Sequence, residues 1–265
     1  MKTAFDDLLH GLRIIGQEEL LPRFHGRLTV EEKPDGSLVT SADHAVDGRL
    51  SGLLGELFPG LAVLSEEQTR EAQQKVLSSA KPFWLLDPLD GTTNFVGGLP
   101  FFAISLALVD ARGVEFGATY DPVRDELFSV MRGAGLRLNG AAPPARHFDP
   151  RELEQCTALV DCKRLQPRLA TALAVDPPYR SQRNLGACAL EWAWLATGRA
   201  DLYLHGGQAL WDSAAGTLML AETGGQMTDL EGGPVFQRSL DRPSAVAARS
   251  AELQERWLHW LDTRR

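Results

Sequence analysis

Apolar residues recur at helical spacing through residues 4–24, at Phe5, Leu8, Leu9, Leu12, Ile15 and Leu20, and predict an amphipathic helix. A second helix is expected to begin at Ser41, read as its N-cap. Val46, Leu50, Leu53, Leu54 and Leu57 form its buried face, and Pro59-Gly60 ends it. Asp43 falls in its first turn. LAVLSEE (61–67) and FWLLD (83–87) are short apolar runs that terminate in carboxylates, as strands do when their ends build a site. FFAISLALVD, VEFGATYDP and ELFSVMRG follow, separated by turn residues, and predict an antiparallel meander.

PARHFDPREL, residues 144–153, is polar and bracketed by prolines, so it divides the chain into an α+β half (1–145) and a second half (146–265). In the second half, TALVDC, ADLYLH and GQMTDL predict strands. LATALAV, LGACALEWAWLATG, DSAAGTLMLAETGG and the segment after Ser250 predict helices. Alternation of this kind indicates an α/β layered arrangement.

Composition narrows the function classes. The 265 residues, 44% hydrophobic and 23% charged, are enough for a substantial core and show no bias toward disorder. The formal net charge is -8 and no basic cluster tracks a phosphate backbone, so nucleic acid is not the expected partner. Three cysteines, Cys156, Cys162 and Cys188, lack paired spacing and are expected to be inert core residues in a reducing cytoplasm. Neither a signal peptide nor a membrane span is read from the sequence.

Five acids stand at element ends: Asp43, Glu66, Asp87, Asp90 and Asp212. Carboxylates converging on one cleft repel, and each raises its neighbours' affinity for protons unless a cation intervenes. All-oxygen ligation favours Mg²⁺, with Mn²⁺ or Ca²⁺ as substitutes. In Asp87-Pro88-Leu89-Asp90 the proline fixes one dihedral, so both aspartates and the Leu89 carbonyl could face one point. Gly91-Thr92-Thr93 offers backbone N–H groups to an anion. The helix starting near Asp212 adds a positive dipole end, with Ala214, Ala215 and Gly216 small enough for close approach by a ligand or a neighbouring backbone.

Singly, each piece has an ordinary structural reading. DPLDG alone is a turn, Glu66-Glu67 a solvated pair, and Asp212 a helix cap. His205, Trp192 and Trp194 read as packed side chains. Taken together, the pieces point to a metal-assisted phosphate site.

WLLDPLDGTTNF (84–95) and WDSAAGTLMLAETGG (211–225) resemble the two long motifs of the inositol monophosphatase family of metal-dependent, lithium-sensitive phosphatases. SLVTSADHAVD and VLSEEQ resemble two shorter family segments, with Ser65 replacing a glycine. RNLGACALEWAWLATGRADLYL resembles a third, so the likeness covers most of the chain. The resemblance implies a layered αβαβα sugar-phosphatase fold and a homodimer. It implies one Mg²⁺ on Glu66, Asp87 and the Leu89 carbonyl, a second on Asp87, Asp90 and Asp212, and a weaker third near Glu66 with Asp43 in its outer shell. Gly91 and Thr92 would meet phosphate through N–H groups, and Thr92 and Glu66 would orient the attacking water. The expected reaction is hydrolysis of a small phosphate monoester, inositol monophosphate or a related sugar phosphate, without a covalent intermediate.

His205 stands where many family members have a glutamate that binds substrate hydroxyls. It could bond a hydroxyl, or favour a more anionic ligand when protonated. Arg183 joins Gly91, Thr92, His205 and Asp212 as a candidate substrate contact. Glu191, inside CALEWAW, needs a partner, either in the cleft or in an arginine such as Arg183. A nucleotide 3'-phosphatase or histidinol-phosphatase is the nearest alternative, although Thr93 departs from the lysine of those branches. A non-catalytic metal-binding regulator is the alternative of another class, and a structural Ca²⁺ site lacks EF-hand spacing.

Overall fold

The structure is a computed structural model that describes residues 2–26, 28–33, 36–145 and 149–265. Along the chain run α1 (Lys2–Ile15), a π-helical turn (Gly16–Leu20), α2 (Leu21–Phe24), β1 (Val30–Glu32), β2 (Leu38–Thr40), α3 (Ser41–Leu57), β3 (Ala62–Ser65), α4 (Arg70–Leu77), β4 (Phe83–Asp90), α5 (Thr92–Val96), β5 (Ala103–Asp110), β6 (Gly113–Asp121), β7 (Glu126–Met131) and β8 (Gly135–Leu138). After these come β9 (Thr157–Asp161), α6 (Pro167–Val175), β10 (Ser181–Arg183), α7 (Cys188–Ala196), β11 (Leu202–His205), α8 (Leu210–Glu222), β12 (Gln226–Thr228), β13 (Ala245–Ala248) and α9 (Ala251–Asp262).

The long N-terminal helix widens just before Pro22, whose ring nitrogen has no N–H to continue the regular ladder. The cap of α3 is Thr40, one residue earlier than expected, because Thr40 is still extended and its hydroxyl accepts from the Ala42 N–H at 3.1 Å. The expected boundary at 144–153 includes residues 146–148, which lie outside the described residues.

Two sheets organise the molecule. One has the order β3-β4-β5-β6-β7-β8, antiparallel except for the parallel β3–β4 pair. The other has the order β10-β9-β11-β13-β12, with β10, β9 and β11 parallel. Strand alternation assigns each face to a different core. In β4, Trp84 and Leu86 join the core built with α1 and α3, while Phe83 and Leu85 join a core shared with α7 and α8. Tyr203 of β11 enters that same central core, whereas Leu202 and Leu204 turn to the core built with α6 and α9. The layers are therefore α1/α3, the first sheet, α7/α8, the second sheet and α6/α9. This is the αβαβα arrangement that the family resemblance implies.

The small residues of α8 serve this packing rather than a ligand. A Cβ at Gly216 would run into the Trp192 side chain, and one at Gly117 of β6 would come within 2.8 Å of Ala215 Cα. Helices α7 and α8 thus pack against each other and against β6 at close range. The N-termini of both helices reach the end of β4.

Candidate active site

Strand β4 carries the first part of the site. Its pairing with β5 holds register through Asp87↔Ser105, shifts, and resumes at Asp90↔Ala103. Pro88, which has no N–H for a ladder bond, sits within this irregularity. The strand therefore runs through Asp90, further than the expected end at Asp87, and the bulge re-aims both aspartates. Gly91 follows in the left-handed region at φ 88°, where a Cβ would stand 3.0 Å from Ala187 Cβ and 3.1 Å from Phe101 O. Only glycine fits there without strain.

Glu66, just past β3, Asp87 from β4 and Asp212 from the first turn of α8 bring carboxylate oxygens within 4.8 Å of one another. Asp90 is placed beside them but is partly engaged: its oxygens accept from the Cys188 N–H at 3.1 Å and the Ala189 N–H at 2.7 Å, capping α7. Asp43, 1% exposed, caps α3 by accepting from the Thr40 N–H at 2.8 Å and the Thr40 hydroxyl at 2.6 Å. Its other oxygen lies 3.3 Å from the Thr92 hydroxyl, which also donates to the Leu89 carbonyl at 2.9 Å. The sequence-predicted acids, Leu89 and Thr92 therefore meet in one place.

The electrostatics of this group call for a cation. Burial, then the charges of Glu66, Asp90 and Asp212, push the Asp87 carboxyl well above the usual range, and burial with Asp212 does the same to Asp90. Asp212 is raised to about 7 by burial and Glu66, despite accepting from the Ala209 N–H at 3.0 Å. An all-carboxylate and carbonyl donor set in which Asp87, Asp90 and Asp212 are held above their usual range suits a hard divalent ion, and Mg²⁺ fits it.

A cleft of about 460 Å³ opens from the acids toward the second sheet. At its far side His205 is 4% exposed, and its Nδ1 accepts from the Gly207 N–H at 3.1 Å. That bond assigns the proton to Nε2, which lies 3.5 Å from Cys188 Sγ and 3.8 Å from Asp161 Oδ2. Burial lowers the His205 pKa to about 4; Asp161 opposes the shift, and Arg164, Lys163 and Arg242 add to it. His205 is thus neutral near pH 7, and the expectation of a protonated histidine favouring anions does not hold for the folded site.

Other expectations change. Arg183 does not line the cleft; it is exposed and donates to Ser181 Oγ and the Gln182 carbonyl, both at 2.7 Å, because β10 is an edge strand that turns it outward. Glu191 is partnered by neither the cleft nor Arg183. From the first turn of α7 it accepts from the Leu185 N–H at 2.7 Å and the Gly186 N–H at 3.2 Å, and burial raises it to about 7. Cys188 is not a core residue, since it lines the cleft, although burial and the nearby acids raise its thiol and keep it un-ionised. Ser65, at the family's glycine position, donates to Asp47 from β3 across to α3.

Sequence reasoning missed several groups. Lys33 Nζ lies 3.1 Å from Glu66 Oε1 and 2.8 Å from Glu67 Oε1; burial opposes its charge, but the two glutamates outweigh burial and raise its pKa. Asn94 donates to the carbonyls of Phe101 at 2.7 Å and Leu185 at 2.6 Å, fastening α5 to the loop before α7. Lys163, Arg164 and Arg242 line the cleft from loops that no periodicity marks.

The inositol monophosphatase family model matches residues 3–263. An inositol monophosphatase 2 of Solanum lycopersicum is 33% identical over 248 residues, covering 90% of this chain and 91% of that protein. Nus factor SuhB of Haemophilus influenzae is 32% identical over 229 residues, covering 84% and 82%. Among solved structures, an IMPase of Thermotoga maritima superposes with a TM-score of 0.84 at 26% identity, covering 99% of this chain and 98% of that one. The cluster of Glu66, Asp87 and Asp212, the layered fold and these matches agree on a Mg²⁺-dependent phosphomonoesterase, and the chain belongs to the inositol monophosphatase family.

Proposed function

We propose that this enzyme hydrolyses the phosphate monoester of a small sugar or cyclitol by direct attack of water. The observation that carries the reading is the convergence of Glu66, Asp87 and Asp212 beside Asp90 at one end of the cleft. Glu66, Asp87 and the Leu89 carbonyl would hold one Mg²⁺, and Asp87, Asp90 and Asp212 a second. A weaker third would sit near Glu66 with Asp43 behind it, and Mn²⁺ could substitute. When bound, the ions supply an acidified water and neutralise the charge that builds on the ester oxygens.

The chain's own residues position the reactants. The Thr92 hydroxyl donates a hydrogen bond to the Leu89 carbonyl, which leaves the hydroxyl oxygen's lone pairs to accept from the attacking water. Glu66 accepts the second hydrogen of that water, while Lys33 fixes the glutamate's orientation. Gly91 and Thr92 aim N–H groups of the first turn of α5 at the phosphate. His205 offers an Nε2–H donor to the alcohol portion.

We also propose a division into a 1–145 half bearing most ligands and a 146–265 half bearing Asp212 and the recognition side. A reducing cytoplasm is consistent with three cysteines that form no disulfide among the described residues. A homodimer is supported by the family resemblance, and scattering mass in solution tests it. No helix among the described residues is long and apolar enough to cross a membrane. The reaction itself is tested by phosphate release from inositol 1-phosphate and a panel of sugar phosphates. Release that needs Mg²⁺ and is lost in Asp87→Asn is expected, and release untouched by chelation overturns the reading.

A further inference from the structure

The wall of the cleft opposite the acids is made mostly of donors. Asp161, the last residue of β9, accepts from the Lys163 N–H at 2.6 Å through Oδ1 and so turns the chain sharply. Arg164 then adopts φ 67°, a left-handed conformation unusual for a side-chain-bearing residue, and its guanidinium donates to the Gly207 carbonyl at 3.2 Å. Two glycines make this contact possible. A Cβ at Gly206 would come within 2.8 Å of Leu165 N, and one at Gly207 would meet Arg242 O at 3.1 Å and Arg164 Cδ at 3.3 Å. The 161–165 loop, the Gly206-Gly207 turn and Arg242 are therefore packed directly on one another. They bring Lys163, Arg164 and Arg242 to the same cleft against the single carboxylate of Asp161.

This concentration of cations lies within a chain of formal net charge -8. Between the cations and the acids stands His205, a neutral donor where an acceptor glutamate would suit a hydroxyl. Asp161, the carboxylate on this wall, already spends Oδ1 on the loop and faces His205 with Oδ2, and the Gly207 carbonyl is taken by Arg164. Such a wall matches groups that only accept, phosphate or carboxylate, better than it matches a hydroxyl.

We propose that the preferred substrate is a sugar or cyclitol phosphate carrying a second anionic group, which docks on Arg164, Lys163 and Arg242 while the scissile phosphate lies at the acidic end. This inference rests on the phosphatase reading and deepens it. Because the three cations are solvent-exposed, the preference is moderate and salt-sensitive.

Two matched pairs test it with the Mg²⁺-loaded enzyme: fructose 1-phosphate against fructose 1,6-bisphosphate, and glucose 6-phosphate against 6-phosphogluconate. The first pair reads a second phosphate and the second a carboxylate. In at least one pair kcat/KM should favour the more anionic member by about tenfold at low ionic strength, and the ratio should shrink as salt is added. Arg164→Asn, which tolerates the left-handed backbone, and Arg242→Gln should each cut the ratio about threefold or more. Ratios near one in both pairs, unmoved by salt or substitution, overturn the inference while leaving the phosphatase reading intact. If no ester is hydrolysed, that reading fails. Calorimetry on the same pairs then decides the inference by whether the second anion tightens binding.

Discussion

The two ends of the cleft are built on opposite plans. At the acidic end the ligands come from the terminus of β4, the segment after β3 and the first turn of α8, all anchored in buried cores. At the basic rim the cations come from two loops and remain exposed. Buried like charges perturb one another strongly, whereas exposed cations are screened. The buried end is therefore suited to chemistry, where geometry must be fixed, and the exposed end to choosing among substrates by modest differences.

Asp87→Asn is expected to have the largest effect, lowering kcat/KM by roughly 10³-fold or more for every ester, because it removes the most buried carboxylate of the Glu66–Asp87–Asp212 cluster, the one the proposed assignment gives to both ions. A uniform loss across esters, read in steady-state assays, marks the acidic end as catalytic. A loss confined to one ester would instead blur the distinction between the ends.

Stability should report the same repulsion. Asp212 has a pKa of about 7 in the folded protein against an ordinary value of 3.8, so the folded state holds its proton more tightly than the unfolded chain. Its stabilising contribution is complete below about pH 4 and is lost as the pH rises through about 7. The metal-free protein should accordingly melt at lower temperature at pH 8 than at pH 5. Saturating Mg²⁺ should raise the melting temperature more at pH 8, by the equivalent of roughly 2.7 kcal/mol at a hundred times Kd. Asp212→Asn should flatten both responses in a thermal scan.

Gly91→Ala comes next. It forces a left-handed alanine against Ala187 and the Phe101 carbonyl, and should cost about 1–2 kcal/mol in denaturant titration together with about tenfold in kcat. The smallest effect is expected at the recognition end. His205→Glu restores an acceptor facing the cleft and should shift kcat/KM a few-fold toward inositol 1-phosphate and away from bisphosphates. A His205→Glu enzyme with unchanged ester preference would weaken the assignment of recognition to that wall.

The same contrast explains what was legible in the sequence. Helices and strands could be read because continuous apolar runs such as FWLL, buried on both faces, and helical stripes such as Leu8, Leu12 and Ile15 record what is buried, while the order of the layers came with the family resemblance. The acids could be read because they sit at the ends of those runs, inside two long motifs. Strand β13 escaped because Ala245–Ala248 is short and nearly all alanine, a residue with little preference for strands, and becomes a strand by pairing with β11 and β12. The bulge at Pro88 escaped because register shifts are set by the partner strand. Arg164 and Arg242 are 78 residues apart and meet only through the glycine turn at 206–207, so nothing local marks them. Arg183, by contrast, drew notice from its motif, yet the edge strand turns it away from the cleft.

The acids hold Mg²⁺ for hydrolysis of a phosphate monoester. The most direct measurement is phosphate release by the wild-type and Asp87→Asn enzymes from fructose 1,6-bisphosphate and inositol 1-phosphate across a Mg²⁺ titration. Saturable Mg²⁺ dependence in the wild type and near-complete loss in the variant are expected for both esters. Equal release with and without Mg²⁺, or an Asp87→Asn enzyme as active as wild type, would contradict this role of the acids.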